Sequence, residues 1–229
     1  MQVETVADDQ AVAERAAAFI AERARAAVRE RGQFTLAVSG GRTPWAMLRA
    51  LATQDMPWAQ TQLFQVDERV APAGDAVRNL TNIQASLLAH APLLPANVHA
   101  MPVEATDLQA AARDYAATLQ RVAGTPAVLD LVHLGLGADG HTASLVPGDP
   151  VLAVNDADVA LTAPYQGHRR MTLTFPVLNL ARTVLWLATG AEKRGMVARL
   201  RAGDRSIPAG RIEQGTAILL ADRAALATQ

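Results

Sequence analysis

The segment Leu129-Asp-Leu-Val-His-Leu-Gly-Leu136 limits the fold more than any other part of the chain. A strand this apolar on both sides needs cover on both faces, as in a parallel sheet flanked by helices. The rest of the chain has the elements to build one. Residues 9 to 31 are alanine-rich, with Val12, Ala16, Phe19, Ile20, Ala24, Ala27 and Val28 spaced along one helical face. Asp8 or Asp9 is placed to cap that helix, and Gly32 to end it. Helices are also expected over Asn79–His90, Thr106–Val122 and Glu192–Arg201, with a further start at Thr43-Pro44, a capping hydroxyl before a first-turn proline. Strands are expected at Phe34–Val38, Leu63–Val66, Val159–Ala163, Met171–Phe175, Thr183–Ala188 and Ala217–Leu220. This alternation predicts an α/β fold: a doubly wound, mainly parallel sheet with helices on both faces, Rossmann-like. No repeat or linker divides the chain, so a single domain over residues 1–229 is expected.

Composition removes several function classes. The formal net charge is −1, with acids and bases nearly balanced, which offers no nucleic-acid or membrane surface. No cysteine is present, which excludes disulfides, thiolate catalysis and Cys-based metal sites. The amino terminus is acidic and not a signal peptide, and no apolar run reaches the roughly 20 residues of a membrane span. A cytoplasmic protein is expected.

In an open parallel sheet, ligands bind beyond the carboxyl ends of the strands. The unusual local sequences of this chain fall there: Ser39-Gly-Gly-Arg-Thr-Pro44, Asp67-Glu-Arg69, Gly135-Leu-Gly-Ala-Asp-Gly-His-Thr142 and Gly190-Ala-Glu-Lys193. Four such loops at one sheet edge would build one pocket. In the first, two glycines let the backbone approach an anion, the helix start presents free N–H groups, and Ser39 and Thr43 add hydroxyls. Taken alone, the segment fits a plain strand-to-helix turn better than a phosphate cradle. Gly135 to Gly140 matches Gly-x-Gly-x-x-Gly, but it lies past mid-chain and leads into a poor helix, so a dinucleotide site is disfavoured. Those glycines instead free Asp139 and His141 to face a cavity as an acid–base pair. His133 lies within a strand and reads as a core histidine. His90, His99 and His168 lack ligand spacing. Arg69 is suited to a developing oxyanion, and Arg170 and Lys193 to a phosphate. No Gly-x-Ser-x-Gly elbow is present, which argues against a serine hydrolase.

Together these segments resemble the 6-phosphogluconolactonase family, within the superfamily that also holds glucosamine-6-phosphate isomerases. The resemblance rests on Ser39–Pro44, Asp67–Pro72, Leu134–Pro147 and Arg170–Asn179, continuing to Thr189–Lys193. It implies hydrolysis of 6-phospho-D-glucono-1,5-lactone to 6-phosphogluconate in the oxidative pentose phosphate pathway, without metal or organic cofactor. It further implies that His141 is the general base, with Asp139 orienting it and Arg69 beside the lactone carbonyl. Ser39, Gly40, Gly41, Thr43, Arg170 and Lys193 would grip the phosphate, and Asp67 would sit on the substrate side. The implied partner is the small sugar-phosphate lactone alone, bound by a monomer or weak homo-oligomer.

Related deaminases carry a glutamate just before the proline after the histidine. Here that slot is Val146, which cannot transfer a proton, so deamination ranks below lactone hydrolysis. A non-catalytic sugar-phosphate sensor is the remaining alternative. The chain departs from the family pattern at Val70-Ala-Pro72 and at Arg78-Asn79, and the last two residues carry no assigned role.

Overall fold

The apolar run becomes β6 (Leu131–Leu134), and all four of its residues are buried. In the computed structural model, which describes residues 1–227, β6 is the middle strand of seven. On one side lie β9 (Val184–Ala188), β10 (Ala217–Asp222) and β1 (Gln2–Val6). On the other lie β2 (Phe34–Val38), β3 (Thr61–Gln65) and β5 (Val98–His99). Every neighbouring pair is parallel. Alternate residues along β6 feed two cores, as strand pleating requires. Leu131 packs with α1 (Asp9–Arg31) and α2 (Arg42–Leu51), whereas Val132 and Leu134 pack with α4 (Leu108–Ala123) and α5 (Phe175–Leu180).

The long helix α1 begins and ends as its sequence dictates. The Asp8 carboxylate accepts from the Ala11 amide at 2.9 Å, and Gly32 closes the helix in the left-handed conformation, its amide on the Val28 carbonyl. At α2 the expected cap is not the observed one. Gly41 takes the cap position, Thr43 is the second residue of the helix, and no side chain caps it. The free amides of its first turn therefore have no side-chain acceptor.

Two expected strands do not join the parallel sheet. β7 (Val159–Leu161) and β8 (Arg170–Leu173) combine with β4 (Asp67–Arg69) into a separate antiparallel sheet of order β4-β8-β7. Sequence reasoning places residues 67–69 in a loop beyond the end of a strand. Val66 transfers the chain between the sheets: its amide bonds the Val38 carbonyl at 3.0 Å and its carbonyl accepts from the Leu173 amide at 2.8 Å. Phe175 is not the end of a strand but the start of α5, where Pro176 suits the first turn. Asn79–His90 is shorter than expected, as α3 (Asn79–Ile83) followed by a wider π-helical turn over Gln84–Leu88. The segment from Glu192 starts with a 3-10 turn, Ala191–Lys193, before α6 (Arg194–Arg201). Strand β1 was not anticipated. Among the described residues, no helix is long and apolar enough to cross a membrane.

Candidate active site

The loop after β6 presents His141. Its Nδ1 lies 2.5 Å from Asp139 Oδ1, and the same carboxylate oxygen accepts from the His141 amide at 3.1 Å. An anionic acceptor at Nδ1 places the ring proton there, so Nε2 keeps its lone pair. The loop can be this tight only because residue 137 is glycine: a Cβ there would collide with the His141 ring. Partial burial tends to raise the pKa of Asp139. The His141 amide and ring, with the Tyr165 phenol, outweigh it and hold the carboxyl below its ordinary value.

Two cations face this loop from the small sheet. In the β4–β8 register, Arg69 stands directly opposite Arg170. Like charges in cross-strand pairs repel, a cost that a bound anion would offset. The Arg170 side chain is buried and its Nε has no hydrogen-bond partner. Burial first, and then the Arg69 charge, push its pKa down, although Asp67 and Tyr165 pull the other way. Arg69 bonds the Asn79 side-chain oxygen and, at 3.2 Å, the Val77 carbonyl.

Strand alternation sorts the Asp67-Glu-Arg69 triplet. Asp67 and Arg69 face the cavity, while Glu68 turns inward and is fully buried. Glu68 accepts from the amides of Asn79 and Leu80, both at 2.8 Å, and so caps α3 from outside the helix. Buried Arg78 pairs with Glu68 and Glu104 at 3.6 and 3.2 Å and is structural.

The third contribution is the turn after β2. Gly40 packs so closely on Asn79 that any side chain would overlap the buried amide. Beneath the turn, the Ser39 amide donates to Nδ1 of His133 at 3.3 Å. Burial pushes the His133 ring down to about 3, so it is neutral and fully enclosed. Lys193 reaches in from the other side and anchors on the Leu136 carbonyl at 2.7 Å.

These pieces enclose one cavity of about 270 Å³. Its walls include Ser39, Gly40, Asp67, Arg69, Asn79, His141, Arg170 and Lys193. Gly41 and Thr43 are not on that wall. They line an adjoining hollow of about 310 Å³, which shares Gly40, Gly135, Leu136 and Lys193 with the first. The Thr43 hydroxyl meets that of Thr189 at 3.1 Å there. Asp139 supports His141 from behind and is likewise not on the cavity wall. Among the described residues, no three His, Asp or Glu side chains cluster as metal ligands would.

A family model described as glucosamine-6-phosphate isomerases/6-phosphogluconolactonase matches residues 7–220. The chain belongs to this family. A 6-phosphogluconolactonase of Synechocystis sp. is 37% identical over 232 residues, covering 98% of this chain and 96% of that one. The solved 6-phosphogluconolactonase of Thermotoga maritima superposes with a TM-score of 0.84 at 27% identity, covering 96% of this chain and 98% of that one. A monomeric glucosamine-6-phosphate deaminase of the NagB superfamily also reaches 0.84, covering 98% of each chain. At 18% identity it shows the shared fold alone. In this family member the slot before Pro147 holds a buried valine, Val146.

Sequence reasoning missed three of the contributing side chains. Asn79 ties the loop to β4 through its amide on the Asp67 carbonyl at 2.9 Å. Ser144 donates to Asp67 Oδ2 at 2.6 Å and joins the histidine loop to the small sheet. Its place three residues after His141 was the available signal. Tyr165 donates to Asp139 Oδ2 at 3.1 Å, and nothing in its local sequence announces that contact.

Proposed function

We propose that this chain is a 6-phosphogluconolactonase, hydrolysing 6-phospho-D-glucono-1,5-lactone to 6-phosphogluconate in the oxidative pentose phosphate pathway. One observation carries the reading: His141, with Nε2 free to accept a proton, shares a single cavity with Arg69, Arg170, Lys193 and the Ser39–Gly40 turn. A cation-rich pocket suits a phosphate dianion, and a neutral imidazole suits water activation. The names borne by the relatives, over nearly the full length of this chain, support the same reading.

Neutral His141 takes a proton from water as the water oxygen bonds to C1. The carbonyl electrons move onto oxygen, and the tetrahedral oxyanion is met by Arg69. Collapse re-forms the carbonyl and breaks the bond from C1 to the ring oxygen. Protonated His141 gives its proton to that oxygen, leaving a carboxylic acid that ionises in water. Asp139 keeps the imidazole in the required tautomer and supports its charge at the peak of the reaction. Arg170, Lys193, Ser39 and Gly40 hold the phosphate, with Gly41 and Thr43 extending the grip in the adjoining hollow. The phosphate is remote from C1, so this grip orients the lactone. Asp67 buttresses the substrate wall through Ser144 and Asn79.

The direct test is decay of freshly generated lactone. Added protein accelerates it well beyond spontaneous opening, and glucosamine 6-phosphate yields no ammonia. No acceleration would refute the proposal. Ammonia release would favour the deaminase, which the apolar Val146 opposes.

A further inference from the structure

We propose that Tyr165 is a positioning residue for the reaction proposed above: its phenol clamps the second oxygen of Asp139 and thereby sets the ring of His141. The inference rests on the assignment of His141 as the base. Three contacts converge on Tyr165. Its hydroxyl donates to Asp139 Oδ2 at 3.1 Å, while the other carboxylate oxygen holds His141. Its ring meets the imidazole edge-on, with centroids 5.6 Å apart and planes at 66°. The Arg170 guanidinium lies over the same ring, 5.0 Å from its centre. One side chain thus touches the acid–base pair and the buried cation of the opposite wall.

The backbone fixes this placement. Tyr165 and His168 form the closing pair of a two-residue turn between β7 and β8, bonded in both directions at 2.9 and 3.2 Å. Gln166 and Gly167 both have positive φ, 51° and 82°, as the hairpin turn that matches strand twist requires. Glycine accepts this freely, but glutamine does so at a cost, and such conformations persist where the surroundings hold them. Here the Gln166 side chain donates to the Tyr165 hydroxyl at 3.3 Å and accepts from Arg170 at 3.4 Å. Burial, then the charge and hydrogen bond of Asp139, raise the phenol's pKa, so the group remains a donor.

The phenol also draws negative charge from the carboxylate, which tempers its attraction for protonated His141. Arg69, Arg170, Lys193 and Asp67 face the same cavity and are unchanged in the comparison below. Tyr165→Phe keeps the ring contacts and removes only the hydroxyl. The carboxylate keeps its bond to Nδ1 but holds the imidazole less firmly, so kcat falls about three- to tenfold, the worth of roughly one hydrogen bond, while KM stays within about twofold. Its full charge then favours imidazolium, so the acid limb of the kcat/KM profile moves to higher pH. Asp139→Asn moves that limb to lower pH, and adding Tyr165→Phe to Asp139→Asn has little further effect. If the hydroxyl served only to hold the loop together, its loss would weaken the Asp139–His141 contact and shift the limb downward, as Asp139→Asn does.

The same shift is read without turnover by following the His141 ring in NMR titrations of wild type and Tyr165→Phe. This separates failure of the clamp from failure of the lactonase reading. An upward midpoint in Tyr165→Phe supports the clamp. An unchanged or lowered midpoint, or kinetic effects of the two substitutions that add in full, overturns it.

Discussion

Seven parallel strands carry His141 and the Ser39–Gly40 turn on loops at their carboxyl ends, whereas three antiparallel strands carry Arg69 and Arg170 within the strands themselves. The two sheets hold their functional groups in different ways. A loop residue needs local support, and His141 has it from Asp139 and from the missing side chain at Gly137. A strand residue is fixed by the ladder, so two like charges can stand opposite each other without separating. On the proposed mechanism, the large sheet supplies the proton-transfer pair and the small sheet supplies two arginines, one for the developing oxyanion and one for the phosphate.

Substitutions on each side should therefore fail differently. The largest effect is expected from His141→Ala, which removes the proposed base from the large-sheet side. Steady-state kinetics should show kcat lowered about 10²- to 10⁴-fold, with 6-phosphogluconate still bound. Arg170→Ala, on the small-sheet side, should weaken binding, raising KM about 10- to 100-fold for a lost charge-assisted contact. Arg69→Ala should fall chiefly on kcat, by about 10- to 100-fold, as an oxyanion partner would. If His141→Ala instead abolishes binding, or Arg170→Ala leaves KM unchanged, the division between sheets is wrong.

The smallest effect concerns stability and sharpens the account of the large sheet. His133 has its pKa lowered to about 3 in the folded chain by burial, against about 6.5 when unfolded. Below about pH 6.5 the unfolded chain binds a proton that the folded chain refuses. The stabilising contribution is therefore complete above that pH and is lost as pH falls toward about 3. His133→Asn retains an acceptor for the Ser39 amide, and its Tm should fall less between pH 7 and pH 5 than that of wild type. Parallel Tm curves would show that His133 does not contribute this pH dependence.

The same contrast explains what was legible in the sequence. Strands such as Leu131–Leu134 announce themselves through apolar runs, and α1 through its period and caps, because those signals are local. The glycine turns and His141 stood at the strand ends, where topology puts ligands. The small sheet was hidden, since β4 is three charged residues that become a strand only by pairing with residues 170–172. Nothing local to Glu68 announces its burial, which follows from its bonds to the first amides of α3, a partner eleven residues away. Strand β1 lies at an edge, largely exposed, so its side chains show no core pattern. Thr43 had the chemistry of a cap, but Gly41 has the backbone freedom to make the turn there. Tyr165 depends on a contact 26 residues away and has no local trace.

The central claim is that both sheets act on one sugar phosphate at once. A crystal structure of His141→Ala with 6-phosphogluconate tests it most directly. The account predicts the phosphate against Gly40, Arg170 and Lys193, with the C1 carboxylate beside Arg69 and residue 141. A ligand bound in the reverse sense, or outside the cavity between the sheets, would contradict it.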